Sequence, residues 1–158
     1  MSNAEGAGGQ RHTVIVAPEQ GAVWDAFVTE QGGHLLQTDG WARLKQLHGW
    51  QPYRLAVVEQ WPGRILAGAL LLYRRLGPLR VAYIPRGPLV DWTDLPLARQ
   101  LFKATHNHAR RHRAITLTIE PNCEDDPRLR QQLTSLGFIA APPLQPRNTI
   151  TIDLTPSE

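Results

Sequence analysis

The sequence predicts a mixed α/β domain in which a mostly antiparallel central sheet carries helices on both of its faces. Three strand-like segments lie between residues 51 and 84 with only short turns between them, which is typical of an antiparallel meander. Helices and strands then alternate, which predicts crossover connections. The predicted order is β-α-α-β-β-β-α-β-α-β. A length of 158 residues fits one domain.

The composition is that of an ordinary soluble globular protein, with 42% hydrophobic and 20% charged residues. The net charge of +3 is compatible with an anionic partner but does not require nucleic acid. A single cysteine, Cys123, excludes an internal disulfide and fits a reducing compartment. The longest apolar run, 65–73, is too short to span a membrane and no signal-peptide core is present, so a cytoplasmic location is expected. Residues 1–12 are expected to be a disordered leader or a cloning remnant, and 13–158 a single domain.

The first part of the chain predicts a strand, a helix, a short extended piece and a second helix capped by Thr38 or Asp39. Their ranges are 13–17, 19–31, 35–37 and 39–48. In the second helix Trp41, Leu44 and Leu47 or His48 are expected to form the inward stripe. Gly49 follows where a left-handed residue ends a helix, and Trp50 can fold back onto the last turn.

The meander consists of three predicted strands, 51–60, 65–74 and 79–84. In the first of them Tyr53, Leu55 and Val57 share one face. The second is apolar almost throughout, which predicts a central strand covered on both faces. Gly68 inside it indicates a bulge or a close approach of another backbone.

The second half predicts the longest helix, a buried strand, a shorter helix and a last strand. Their ranges are 94–112, 114–120, 127–136 and 149–154. Asp126 and Pro127 are a favourable helix start, and Gly137 with Phe138 is a favourable end. A proline-rich tether, 142–146, precedes the last strand.

The most informative short motif is the segment from Tyr83 to Pro88, Tyr-Ile-Pro-Arg-Gly-Pro. Pro85 cannot donate a ladder hydrogen bond, so strand pairing should stop there. Arg86 then lies between Pro85 and Gly87, in a constrained backbone. A fixed guanidinium suits a phosphate or a carboxylate, because its forked donors match two oxygens at once. The alternative is a surface turn whose arginine is solvated.

Lys45 lies one turn after Trp41, on the flank of the predicted stripe. A half-buried lysine in this place can reach a phosphate along an apolar wall, and the alternative is a lysine that only snorkels to solvent. Asp91 follows the proline-arginine loop and Glu120 ends a strand, so both can lie at one edge of the sheet. A single carboxylate at a strand end is also a common helix cap or ion-pair partner.

Three histidines on the longest helix, His106, His108 and His112, invite a metal interpretation. No carboxylate accompanies them, so a basic amphipathic helix is the favoured interpretation. Cys123 precedes three acidic residues, which disfavours a reactive thiolate. The residues therefore identify neither a nucleophile nor a general base, and no cofactor or metal site is expected.

Several of these motifs together resemble the amino-terminal half of the FemABX-type peptidoglycan aminoacyltransferases. They occur in the order Trp41-x-x-x-Lys45, Gly49-Trp50, Tyr83-Ile-Pro-Arg-Gly-Pro88, Ile119-Glu-Pro121, Gly137-Phe138 and Gln145-Pro146-x-x-Thr149-x-x-x-Asp153-Leu154. The resemblance extends from Val23 to the carboxy terminus, and the motifs are specific only in combination.

The resemblance implies a GNAT-like acyltransferase domain. Family members carry two such domains and move an amino acid from aminoacyl-tRNA to the stem-peptide amine of a cell-wall precursor. It implies that this half binds a UDP-linked or lipid-linked muropeptide, with Lys45 at the precursor's diphosphate beside Trp41. Tyr83, Arg86 and Asp91 would line the same cleft. Aminoacyl-tRNA is expected to use a second domain, because family members are about twice this long.

Two other functions remain open at the level of sequence. One is an independent N-acyltransferase that uses acyl-CoA, which would want a glycine-rich pyrophosphate loop opening a helix. The loop at Arg86 and the helix start at Asp94 lack the glycine pair for it. The other is a non-catalytic binding domain.

Overall fold

The computed structural model describes residues 10–146, which form one five-stranded sheet in the order β1-β2-β3-β4-β5. The strands are β1 (His12–Val16), β2 (Gln51–Val58), β3 (Ile65–Leu76), β4 (Leu79–Ile84) and β5 (Ala114–Ile119). The first three pairings are antiparallel, and β4 pairs with β5 in parallel. The predicted mixed, mostly antiparallel sheet is confirmed.

Four α-helices are described: α1 (Gly21–Glu30), α2 (Asp39–Leu47), α3 (Leu95–Arg111) and α4 (Pro127–Ser135). Three of the predicted caps are present, because Thr38, Asp94 and Asp126 each accept a backbone N–H from the first turn of the helix that follows. At the end of α2, Gly49 has a φ of +78° and the Trp50 N–H donates to the Lys45 carbonyl at 3.0 Å. This is the predicted helix end with a left-handed glycine.

The helices bury both faces of the sheet. On one face Leu55 and Val57 of β2 pack with Leu101 and Phe102 of α3. On the other face Ala56 and Val58 pack in a second cluster with the aromatic side chains of α1. Strand β3 contributes buried side chains to both clusters, so its predicted central position is confirmed.

Gly68 in β3 permits two close approaches at once. Its backbone exchanges two hydrogen bonds with Leu89, at 2.9 and 2.8 Å. A Cβ at this position would lie 2.9 Å from the Trp24 ring. The predicted close approach of another backbone is therefore confirmed, and it holds the segment after β4 against the central strand.

Three local predictions are wrong. Residues 35–37 form a short 3₁₀ helix (Leu35–Gln37) rather than an extended piece, since the His34 ring accepts the Leu36 N–H at 3.2 Å and favours a turn. In α2 Trp41 packs against the core as predicted, but Leu44 and Leu47 are 43% and 84% exposed. The buried residues of this helix are Asp39 and Ala42. The face of α2 that carries Asp39 is turned towards the sheet, rather than the predicted leucine face, because Asp39 forms an ion pair with buried Arg54 of β2. Strand β5 is only partly buried, because among the described strands it pairs with β4 alone.

The predicted last strand, 149–154, and the leader up to residue 9 lie outside the described residues. The expected domain boundaries accordingly stay predictions. None of the helices within residues 10–146 combines the length and the apolar character needed to cross a membrane.

Candidate functional site

The loop from Pro85 to Pro88 is held in place by one buried glutamine. Gln37 is fully buried, its Nε2 donates to the Pro85 carbonyl, and its Oε1 accepts the Leu70 N–H at 2.9 Å. The indole N–H of Trp24 donates to the Gln37 carbonyl at 2.6 Å. A Cβ on Gly87 would lie 2.7 Å from the Gln37 amide nitrogen, so this position requires glycine. The side chain of Gln37 thus joins the loop to β3.

Arg86 has a left-handed backbone with a φ of +46°, which is unfavourable for a residue with a Cβ. Its guanidinium Nη2 donates to the Pro146 carbonyl at 2.7 Å. Burial and then the charge of Arg86 lower the pKa of His34, so the two side chains are within electrostatic reach. The side chain of Arg86 is half-buried, and its remaining N–H donors can still bind an anion.

Tyr83 and Glu120 bring the carboxy-terminal tether onto the same loop. The Tyr83 hydroxyl donates to Glu120 Oε2. Burial, followed by the hydrogen bond to this carboxylate, raises the pKa of Tyr83 well above its usual value. Glu120 Oε1 accepts the N–H groups of Leu144 and Gln145, at 2.6 and 3.0 Å. Together with Arg86, these bonds close the tether over the loop.

Asp91 has a local role in the turn before α3. Its Oδ1 accepts the Thr93 hydroxyl at 2.6 Å and the Thr93 N–H at 2.8 Å. These hydrogen bonds lower the pKa of Asp91, which is exposed. The residue is therefore a charged turn carboxylate, and its predicted part in substrate binding stays a prediction.

Lys45 lies between two indole rings. Its ammonium is 4.7 Å from the ring centroid of Trp41 and 5.7 Å from that of Trp50. Among residues 10–146 no carboxylate forms an ion pair with Lys45. The indole N–H of Trp41 is buried and has no hydrogen-bond partner in the same part of the chain. The rings fix the position of the ammonium while its donors stay available to an anion.

Arg74 joins this cluster and was not singled out by the sequence. Its guanidinium carbon lies 5.4 Å from the Trp50 ring centroid, so two cations flank one indole. In the sequence, Arg74 is marked only by being next to Arg75 at the end of β3. Such arginine pairs are as common on strand ends that only face solvent as they are in binding sites. The partner ring belongs to a residue 24 positions earlier in the chain, and only the fold shows this contact.

The structure thus forms two groups from the predicted residues. Tyr83 and Arg86 meet at the loop, and Lys45 and Trp41 meet on α2. The two groups are connected through α2, whose cap, Thr38, follows Gln37 directly. From Thr38 to Lys45 the helix rises roughly 10 Å. No contact among the described residues joins Lys45 directly to Arg86.

Two of the three predicted histidines, His108 and His112, pack with tyrosine rings at the end of α3, whereas the ring of His106 packs against Phe138. The rings of His108 and His112 stack at 4.4 Å, and the Tyr73 hydroxyl lies 2.7 Å from His108 Nδ1. Burial, followed by the neighbouring charges of His112 and Arg111, lowers the pKa of His108 to about 4. Within residues 10–146 no group of three or more histidine, cysteine or acidic residues is arranged to hold a metal ion.

Replacing Arg86 by glycine and by alanine separates backbone strain from side-chain function. We expect the glycine variant to exceed the alanine variant by about 0.5–1 kcal/mol in the free energy of unfolding, because only alanine retains the cost of a positive φ. Urea unfolding followed by tryptophan fluorescence measures this difference. An alanine variant as stable as the glycine variant would show that Arg86 does not adopt the left-handed conformation in solution.

Comparison with known proteins gives a consistent family. A model described as the FemAB family matches residues 20–135. A lipid II:glycine glycyltransferase of Staphylococcus haemolyticus (strain JCSC1435) is 31% identical over 147 residues, which cover 85% of this chain and 35% of that protein. The protein of the same description from Staphylococcus aureus (strain bovine RF122 / ET3-1) is 34% identical over 119 residues, which cover 72% of this chain and 28% of that protein. The chain spans about a third of the length of these relatives.

Solved structures give the same result. The crystal structure of FemX superposes with a TM-score of 0.68 at 29% identity, over 80% of this chain and 31% of FemX. A Trypanosoma brucei acetyltransferase superposes with a TM-score of 0.58 at 15% identity, over 92% of this chain and 100% of the acetyltransferase. The second likeness shows the fold alone, and it confirms the predicted GNAT-like acyltransferase fold.

Proposed function

The chain belongs to the FemAB family, and on that basis we propose that it binds the diphosphate-bearing end of a peptidoglycan precursor within a bridge-forming aminoacyltransferase. Its curated relatives are named for glycyl transfer to lipid II, which supports a lipid-linked precursor as the acceptor. The chain corresponds to about a third of those proteins, so this proposal assigns it precursor binding rather than the complete reaction.

The pair of cations on Trp50 is the observation that carries this proposal. Lys45 and Arg74 both contact this ring, and neither has a carboxylate partner among residues 10–146. A diphosphate carries two adjacent negative groups and gains most from two positive groups held close together. The resemblance of Trp41-x-x-x-Lys45 to the family motif supports the same assignment for Lys45. Tyr83, Arg86 and Asp91 would line the path from the diphosphate towards the peptide.

The reaction of the whole protein would be aminolysis of an ester. The stem-peptide amine attacks the carbonyl of an aminoacyl-tRNA, an amide bond forms, and the tRNA hydroxyl leaves with the proton that the amine loses. Such a reaction depends on positioning and on stabilising the tetrahedral oxyanion, and it needs no protein nucleophile. We assign the tRNA to a part of the protein beyond this domain, and the whole reaction to the cytoplasmic side, where both substrates occur.

An acyl-CoA-dependent N-acyltransferase is the second candidate, because acetyltransferases share the fold. The start of α3, where a pyrophosphate would need free backbone N–H groups, argues against it. The Asp94 carboxylate already accepts the Leu97 N–H at 3.0 Å, and Pro96 in the first turn has no N–H to offer. A carboxylate at this position also repels a phosphate.

Replacing Lys45 by alanine is expected to weaken binding of a UDP-linked muropeptide about tenfold or more, which is the usual loss for one hydrogen bond to a charged group. Thermal stability should stay unchanged, because Lys45 is half-exposed and has no carboxylate partner among the described residues. Isothermal titration calorimetry measures the affinity. Lys103 is the only other lysine of the chain and is exposed on α3, so Lys103→Ala is the matched control.

The same titrations decide between the candidate functions. Equal muropeptide affinity in the Lys45→Ala and Lys103→Ala variants would remove Lys45 from the site. Binding of acetyl-CoA without binding of the muropeptide would replace the proposal by the acyltransferase candidate. Binding of neither ligand would favour a domain that interacts only with other proteins.

A further inference from the structure

The tip of the β3–β4 hairpin combines exposed leucines with arginines. Across the two strands Leu76 pairs with Leu79 and Arg75 pairs with Arg80. The leucines are 54% and 47% exposed, and Gly77 makes the turn between them with a φ of +62°. The two leucines share one face of the hairpin and the two arginines share the other, so apolar and cationic side chains both lie at this end of the sheet.

The carboxy-terminal end of α3 adds further positive charge to the hairpin. Arg80 Nη1 donates to the His112 carbonyl at 3.3 Å, which joins the two elements. Between them lies an open depression of about 380 Å³. We call its rim and the hairpin tip the hairpin surface, formed mainly by Arg75, Leu76, Leu79, Arg80, Arg111 and Arg113.

The stability of the fold does not account for this arrangement. Like charges directly opposite each other on paired strands are destabilising, and Arg75 faces Arg80. Arg113 has a φ of +54°, where glycine is favoured. Residues 73–81 and 106–114 contain six arginines and no carboxylate. Within residues 10–146 none of the four arginines of the hairpin surface forms an ion pair.

We propose that the hairpin surface docks onto an anionic lipid bilayer. Arginines bind the phosphate groups of lipids bidentately, and leucines at a loop tip gain free energy by entering the boundary of the acyl chains. An RNA backbone would satisfy the arginines but would leave Leu76 and Leu79 in water. The bilayer is the partner that uses both parts of the surface.

Docking in this orientation has a consequence for the candidate site. Successive side chains of β3 point to opposite faces of the sheet. Arg74 and the other cation on Trp50 therefore lie on the face opposite Arg75, which is the face that Leu76 shares. A membrane that holds the hairpin tip would therefore lie next to Arg74 on the Leu76 face, the side from which a lipid-linked diphosphate would approach Lys45 and Arg74. This consequence for the diphosphate rests on the proposed function. The docking itself does not, because it is expected for a bilayer that contains no precursor.

Vesicle co-sedimentation of the full chain tests the docking surface. The vesicles contain equal amounts of phosphatidylglycerol and phosphatidylcholine, or phosphatidylcholine alone, and no cell-wall precursor. We expect binding to the anionic vesicles only, weakened by salt. The double variant Arg75→Gln/Arg111→Gln should lose about twentyfold in partitioning, and Leu76→Ser/Leu79→Ser about tenfold. The control Arg128→Gln/Ile139→Ser alters an arginine and an apolar side chain exposed elsewhere and should match the unmodified chain.

The results that overturn the proposal are equally specific. Equal partitioning onto both kinds of vesicle, or none onto either, excludes the anionic bilayer. A leucine variant that binds as well as the unmodified chain excludes insertion of the tip. Binding of an RNA that is lost only in the arginine variant, with no vesicle binding, assigns the surface to nucleic acid instead. Circular dichroism confirms that each variant is folded, and its changed positions are all solvent-accessible.

Discussion

Replacing Asp39 by alanine is expected to lower the free energy of unfolding by about 3–5 kcal/mol, because it leaves a buried guanidinium without its counter-charge. Asp39 is 6% exposed and Arg54 only 3%. The Asp39 carboxylate accepts hydrogen bonds from Arg54 Nη2 and, at 2.6 Å, from Arg43 Nε. Its backbone N–H donates to Asp25 Oδ1 at 2.6 Å. Since a domain of this size is typically stable by about 5–15 kcal/mol, the loss is large.

A second variant distinguishes the buried charge from the lost packing. Arg54→Met in the Asp39→Ala background removes the uncompensated cation and should restore part of the stability. Asp125→Ala breaks the exposed pair with Arg130 and should change stability far less. Urea unfolding followed by tryptophan fluorescence measures all of these variants. A loss in Asp39→Ala no larger than in Asp125→Ala would show that the buried pair does not stabilise the fold.

This ion pair also explains where the sequence-based prediction of α2 was wrong. The spacing of Trp41, Leu44 and Leu47 favours an apolar stripe, and a pattern method places an aspartate outside. The fold buries Asp39 because Arg54 lies opposite it on β2, 15 residues later. No local pattern contains that partner. Where burial is almost entirely apolar, as in β3 and on the inner face of α3, the predicted elements are confirmed.

The residues of the candidate site likewise divide into those that the neighbouring sequence identifies and those that only the folded structure identifies. Arg86 and Lys45 were identifiable because proline, glycine and tryptophan close to them in sequence constrain their surroundings. Arg74 and Gln37 were not, since their partners lie 24, 33 and 48 residues away. Gln37 follows two leucines and carries no motif of its own. Its role depends entirely on its hydrogen bonds to α1, β3 and the loop after β4.

Replacing Gln37 by leucine is expected to lower the free energy of unfolding by about 2–5 kcal/mol. The two side chains have similar volumes, but leucine leaves the Leu70 N–H and the Pro85 carbonyl buried without hydrogen-bond partners. Gln131→Leu on α4 is the matched control, because Gln131 is exposed. Urea unfolding measures the difference, and equal stability of the two variants would contradict it.

Amide hydrogen exchange then shows whether Gln37 holds the loop or only stabilises the domain. In Gln37→Leu, at a temperature where the variant is folded, the Leu70 amide should exchange about tenfold to a hundredfold faster, which corresponds to the loss of one buried hydrogen bond. The Leu89 amide donates to Gly68 at 2.8 Å and is independent of Gln37, so its protection should fall only with global stability. If both amides lost protection equally, Gln37 would stabilise the whole domain without specifically fixing Arg86. A selective loss at Leu70 would assign to Gln37 the positioning of the loop that presents Arg86, and the affinity for the muropeptide should then fall in this variant while Lys45 is intact.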